Sequence, residues 1–192
     1  MLPWGHLGVG YLVYTVGTRV LLDRPPQGQP VLALALGTQA PDLIDKPLNW
    51  WFDVFDGRAI GHSLLTTIPI CLLLFLIGKR YDRGGLAVAV SIGVFTHLLG
   101  DAWRPLLAGN FEPASYLLWP LFSPPTYPSD SFADHLQQWV AHVQTLQTFP
   151  WRHLLFDQFG VQLLLAVVVF TVWALDGFPG ARTILDWITR RA

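Results

Sequence analysis

Apolar residues fall into five runs along the chain, separated by short polar or proline-rich breaks. Leu7 to Leu22 predicts a first helix, in which Gly8, Gly10 and Gly17 would let a neighbouring helix approach closely, and Asp23-Arg24-Pro25-Pro26-Gln27-Gly28 ends it. Val31 to Ala40 is the second run. Ten residues at about 1.5 Å each reach roughly 15 Å, half a bilayer core, so this helix is expected to enter a membrane without crossing it. Pro41 then opens a polar and aromatic loop through Trp50, Trp51 and Arg58. Leu64 to Gly78 is almost wholly apolar. It turns at Lys79-Arg80-Tyr81-Asp82-Arg83 into the run from Gly84 to Gly100. The stretch holding Pro105, Pro113, Pro120, Pro124, Pro125 and Pro128 is too broken for a spanning helix and predicts a large connecting loop. Phe132, Leu136, Trp139, Val143 and Leu146 recur at spacings of three and four with Gln137, Gln138, Gln144 and Gln147 between them. This is the pattern of an amphipathic helix lying in an interface. Phe159 to Leu175 is the last spanning candidate.

Composition turns these runs into a class. Of 192 residues, 52% are hydrophobic and 13% charged, about half the charged share of a soluble domain. The expected fold is all-α: one polytopic membrane domain over residues 1–192, with about four to five embedded helices and one interfacial amphipathic helix. Twelve basic and 13 acidic residues give a net charge of -1 with no long run of either sign, which excludes a nucleic-acid footprint. The single cysteine, Cys71, lies in an apolar run and forms no intrachain disulfide. No basic segment precedes the first run and no small-residue cleavage site follows it, so it is not read as a removable signal peptide.

Charge also orients the threading. Arg19, Arg24, Lys79, Arg80, Arg83, Arg182, Arg190 and Arg191 gather on one side; Lys46, Arg58, Arg104 and Arg152 on the other. The positive-inside rule makes the first side cytoplasmic. Trp4, Trp50, Trp51, Trp103, Trp119, Trp139 and Trp151 then form a belt at the outer side of the cell (inner) membrane.

The same threading brings chemistry together. His97 and Asp101 are four apart near the end of a membrane-length helix and therefore share a face; burying both without a partner is costly, and a divalent cation between them offsets the cost. His6 starts the first helix, Asp42 and Asp45 end the second, and His62 starts the third, all at that same outer end. Each has an ordinary alternative: His6 as an interfacial side chain, Asp42 as a cap, Asp45 as a partner of Lys46, Ser63 as the cap beside His62. Taken together, His6, Asp42, Asp45, His62, His97 and Asp101 are expected to bind zinc, with manganese or iron as alternatives. A metal with an open position acidifies a bound water. Asp45 is the expected group to orient or deprotonate that water, and Arg104 the expected anchor for an anionic substrate group.

These segments carry a resemblance. His6, Pro41-Asp42-Leu43-Ile44-Asp45, Gly61-His62-Ser63, Thr96-His97-Leu98-Leu99-Gly100-Asp101 and Leu118-Trp119-Pro120 resemble the membrane-bound metal-dependent hydrolases, of the LexA-regulated inner-membrane type. The order of ligands is also similar to that of the zinc-dependent phospholipases C and single-strand nucleases, which implies a helical metal-site fold and phosphoester hydrolysis. That group adds a histidine and then a histidine with a glutamate four later. Here His135 is followed at that spacing by Trp139, His142 by Leu146 and His153 by Asp157. Hydrolysis of a phosphoester or lipid-like substrate, with membrane lipid as partner and the amphipathic helix covering the site, is the expected function. A membrane metal-binding or transport protein without hydrolysis is the alternative, and a scaffold without chemistry a third.

Overall fold

The computed structural model describes residues 2–123, 131–148 and 158–189. Its elements are α1 (Pro3–Leu22), α2 (Gly28–Phe52), α3 (Leu64–Arg80), α4 (Gly84–Leu107), a 3-10 helix (Glu112–Leu118), α5 (Phe132–Thr148), α6 (Gln158–Leu175) and α7 (Ala181–Thr189). The described residues are helical with no strand, as the apolar runs predict. Among them, α4 is the helix both long and apolar enough to cross a membrane by itself, and Phe159–Leu175 is a shorter apolar helix.

α2 departs most from expectation. It does not stop at Ala40 but continues through Pro41 and Pro47 to Phe52, 25 residues or about 37 Å. Each proline forfeits one helical hydrogen bond, and lateral packing holds the helix together: α2 and α4 form the most extensive helix contact in the bundle. They meet at glycines. A Cβ on Gly93 would fall 2.5 Å from the Leu34 carbonyl oxygen and 2.6 Å from the Thr38 amide nitrogen, and one on Gly37 would strike the Val90 carbonyl. Backbone thus touches backbone, as small residues permit in membrane helices. Of the glycines singled out in α1, Gly8 packs against Val169 and Gly10 against Thr38, whereas Gly17 meets nothing within 4 Å.

Contacts give the directions. Thr38 meets His97 and Asp42 lies beside it, so α2 and α4 run parallel. His6 meets Asp101 while Tyr11 and Tyr14 share a core with Val31, Leu34 and Ala89, so α1 runs against both. Leu2 donates to Gln162 and Tyr11 to Asp176, which sets α6 parallel to α1. α3 packs on α4 through Cys71, Val94 and Leu98. Ser63 caps α3, its Oγ accepting from Leu65 N at 3.1 Å. The proline-rich connection contains the 3-10 helix, where Ala114 and Tyr116 pack on Ala102.

Candidate metal centre

Four segments converge, α2 and α4 through their second halves rather than their ends. α1 brings His6, α2 brings Asp42 and Asp45, the loop before α3 brings His62, and α4 brings His97 and Asp101. His62 and His97 are 0% exposed, and His6 and Asp45 1%. Two overlapping groups, His6–His97–Asp101 and Asp42–His62–His97, have their donor atoms within 4.8 Å of one another.

The ring nitrogens are assigned by what lies behind them. His97 Nδ1 donates to the Thr38 carbonyl at 2.7 Å, and His62 Nδ1 donates to Asp45 Oδ2 at 2.8 Å. Each ring thereby points Nε2 forward, and these two nitrogens stand 3.2 Å apart. Asp42 Oδ1 is 3.5 Å from His62 Nε2 and 3.9 Å from His97 Nε2. Asp101 Oδ1 is 3.2 Å from His6 Nε2, and its Oδ2 lies 3.9 and 4.0 Å from His62 and His97. The His6 and His97 rings stack at 3.8 Å, tilted by 17°. Ligands roughly 2.0–2.1 Å from a tetrahedral zinc stand roughly 3.3–3.4 Å from one another; the His62–His97, His6–Asp101 and Asp42–His62 separations of 3.2, 3.2 and 3.5 Å lie near this spacing, and those of 3.9 and 4.0 Å are wider.

Asp45 is the expected ligand and base that the structure sets apart. Its Oδ1 accepts from Gly61 N at 2.8 Å, and its Oδ2 accepts from Ala59 N, His62 N and His62 Nδ1 at 2.8, 3.1 and 2.8 Å. With both oxygens spent on four donors, its place is behind His62, not in front of it. The loop can lie this close because Gly61 has no side chain: a Cβ there would sit 2.7 Å from the Pro41 carbonyl oxygen. Ser63 Oγ donates to the Trp119 carbonyl at 2.5 Å, tying the Gly61-His62-Ser63 segment to Leu118-Trp119-Pro120. Burial lowers the His62 pKa, but hydrogen bonds with Asp42 and Asp45 outweigh it and leave the value raised.

Two cations flank the cluster. Lys46 Nζ is 3.1 Å from Asp42 Oδ2, so Lys46 pairs with Asp42 rather than with Asp45. Arg58 Nη2 is 2.9 Å from Asp101 Oδ2, and its guanidinium lies 5.0 Å from the Tyr116 ring centre. Arg58 takes the position expected of Arg104, which is exposed and rests over the Trp103 ring at 5.4 Å. Arg58 comes in on the loop that carries His62. Its sequence signal was a cation four residues before a candidate ligand. Tyr116, buried with its ring edge to His62 at 5.9 Å, carried none.

A cavity of about 540 Å³ opens beside Asp42 and Lys46, between α2 and α5. His135 and His142 line it. His135 lies against Trp50 at 5.0 Å, and His142 donates Nδ1 to the Gln138 carbonyl; neither is among the converging donors. His153 and Asp157 lie outside the described residues.

The family pattern of the YdjM inner membrane protein matches residues 1–179, and the chain belongs to this family, an inner membrane protein. No curated protein and no solved structure matches the chain.

Proposed function

We propose that this protein is a membrane-embedded, metal-dependent hydrolase acting on a phosphoester or lipid-like substrate at the extracytoplasmic face of the inner membrane. One observation carries the reading: two buried imidazoles, each anchored through Nδ1, bring their Nε2 atoms within 3.2 Å of each other beside the carboxylates of Asp42 and Asp101. Ring nitrogens and carboxylates gathered this closely in a buried place favour a cation among them, a proton on His62 in the metal-free protein and a metal ion in the loaded one. His6, Asp42, His62, His97 and Asp101 hold zinc in this reading, with manganese or iron as substitutes. The ion supplies Lewis acidity and acidifies a water toward neutral pH. Asp42, which reaches the cavity, orients that water; Asp45 fixes the His62 ring; Arg58 binds an anionic substrate group. In the membrane, α1 to α4 and α6 are embedded and α5 lies in the outer interface.

Elemental analysis of detergent-purified protein tests this. Stoichiometric metal in the wild type, lost in both His97→Ala and Asp101→Ala, is expected, followed by metal-dependent turnover in a phosphodiester and phospholipid screen. No metal after zinc or manganese reconstitution overturns the reading. Metal without turnover of any ester leaves a metal-binding or transport protein.

A further inference from the structure

We infer that the cavity between α2 and α5 binds the anionic headgroup of a membrane lipid, reached sideways from the bilayer beneath α5. This rests on the hydrolase reading only for the fate of the bound lipid, since the binding geometry stands apart from it. The cavity, about 540 Å³, falls within the usual size of a ligand site. Leu43, Pro47, Trp50, Leu136 and Trp139 supply apolar walls. Its cation is Lys46, whose ammonium gives one donor to Asp42 and keeps two more for a ligand. His135 and His142 add polar edges from the α5 side.

The lining argues for a lipid rather than a soluble anion. Trp50, Trp51 and Trp139 line the cavity and Trp50 meets Phe132 at 5.8 Å, amphipathic aromatic rings of the kind that favour a membrane–water interface. Beyond the lining residues Phe132, Leu136 and Trp139, α5 exposes Val140 and Val143, so an apolar surface continues from the cavity along an amphipathic helix of the in-plane kind. Position argues for chemistry. Lys46 holds Oδ2 of the same Asp42 carboxylate whose Oδ1 faces His62, so a headgroup phosphate on Lys46 lies one carboxylate away from the metal centre.

The test uses full-length protein in phosphatidylcholine nanodiscs doped with a phosphatidic acid bearing a photoreactive acyl chain. Adducts mapped by proteolysis are expected in 43–51 and 132–142 above the level on lipid-facing α3. They fall roughly tenfold in Lys46→Ala, the loss that one charge-assisted contact explains, and fall also in Leu136→Gln, an exposed substitution on α5. Unlabelled phosphatidic acid competes and glycerol phosphate does not. Adducts spread evenly over α3 and α6, equal labelling by a photoreactive diacylglycerol, or competition by glycerol phosphate each overturns the inference. Metal content of the same samples separates the two readings: metal with no cavity labelling sinks the lipid site alone, and labelling without metal sinks the hydrolase alone.

Discussion

Two buried carboxylate clusters sit at opposite ends of α1, and they are built in opposite ways. At the far end from the metal centre, Asp176 follows α6 with its side chain fully buried. Tyr11 Oη and Thr15 Oγ1 donate to its Oδ2 at 2.6 and 3.0 Å, and Arg19 donates to its Oδ1. Every acceptor there meets a donor. At the centre, one oxygen of Asp42 and one of Asp101 take a cation, while the others face the imidazole nitrogens of His62 and His6. The first arrangement is complete and can only clamp α6 to α1. The second gathers three imidazoles around two carboxylates, with the His62 and His97 Nε2 atoms facing each other at 3.2 Å, and in the reading proposed above a metal ion completes it.

Substitution should divide the two ends cleanly. His97→Ala abolishes metal binding, whereas Asp176→Asn keeps full metal stoichiometry and loses about 2 kcal/mol of stability in thermal unfolding. Most of that loss comes from the hydroxyl bonds, because the half-exposed Arg19 pair is screened. Equal metal loss in both variants would erase the distinction. Asp45→Asn refines it: as the support of a ligand rather than a ligand, it should weaken metal affinity roughly 10- to 100-fold in a chelator competition without abolishing it.

Acid should act on the ends with opposite signs. Burial raises the Asp176 pKa, but the bonds from Tyr11, Thr15 and Arg19 outweigh it and hold the carboxyl below its usual range. Its stabilisation is therefore complete above the ordinary carboxylate value of about 4 and is lost as pH falls through the depressed one. His62 is raised, so its proton stabilises the metal-free fold below about pH 6.5 and that contribution fades as pH climbs through the raised value. Metal takes the neutral ring, so affinity should rise over that same climb. Unfolding curves and metal titrations across pH check both slopes, and a metal affinity that is flat through this range contradicts the assignment of His62. The smallest effect is Tyr11→Phe, about 1 kcal/mol of stability with metal content unchanged.

Much of the centre could be read from residue spacing. His97 and Asp101 share a face because they are four apart, and His6, Asp42 and His62 reach the same end because successive long helices reverse direction. What spacing does not carry is how a side chain's lone pairs are used up. Asp42 and Asp45 look alike beside Pro41, yet the backbone amides of 59–62 consume Asp45 and leave Asp42 facing the imidazoles. Nor does it tell whether a proline ends a helix. Pro41 and Pro47 stay inside α2 because α4 and the 59–62 loop hold that helix from the side, a long-range cause invisible in a local window. Arg104 is near Asp101 in sequence, whereas Arg58 reaches it by the path of a loop.

The glycine crossing of α2 and α4 has one more consequence. Since Gly93 lets the Leu34–Thr38 backbone touch α4, the width of that contact is also the distance from the Thr38 carbonyl to the His97 ring. The crossing works as a calliper for the centre: its jaws are two helix backbones, and its setting is the absence of a methyl group. A position that carries no side chain thus sets how far the His97 ring stands from α2, and a methyl group there would force the two helices, and the donors they carry, apart.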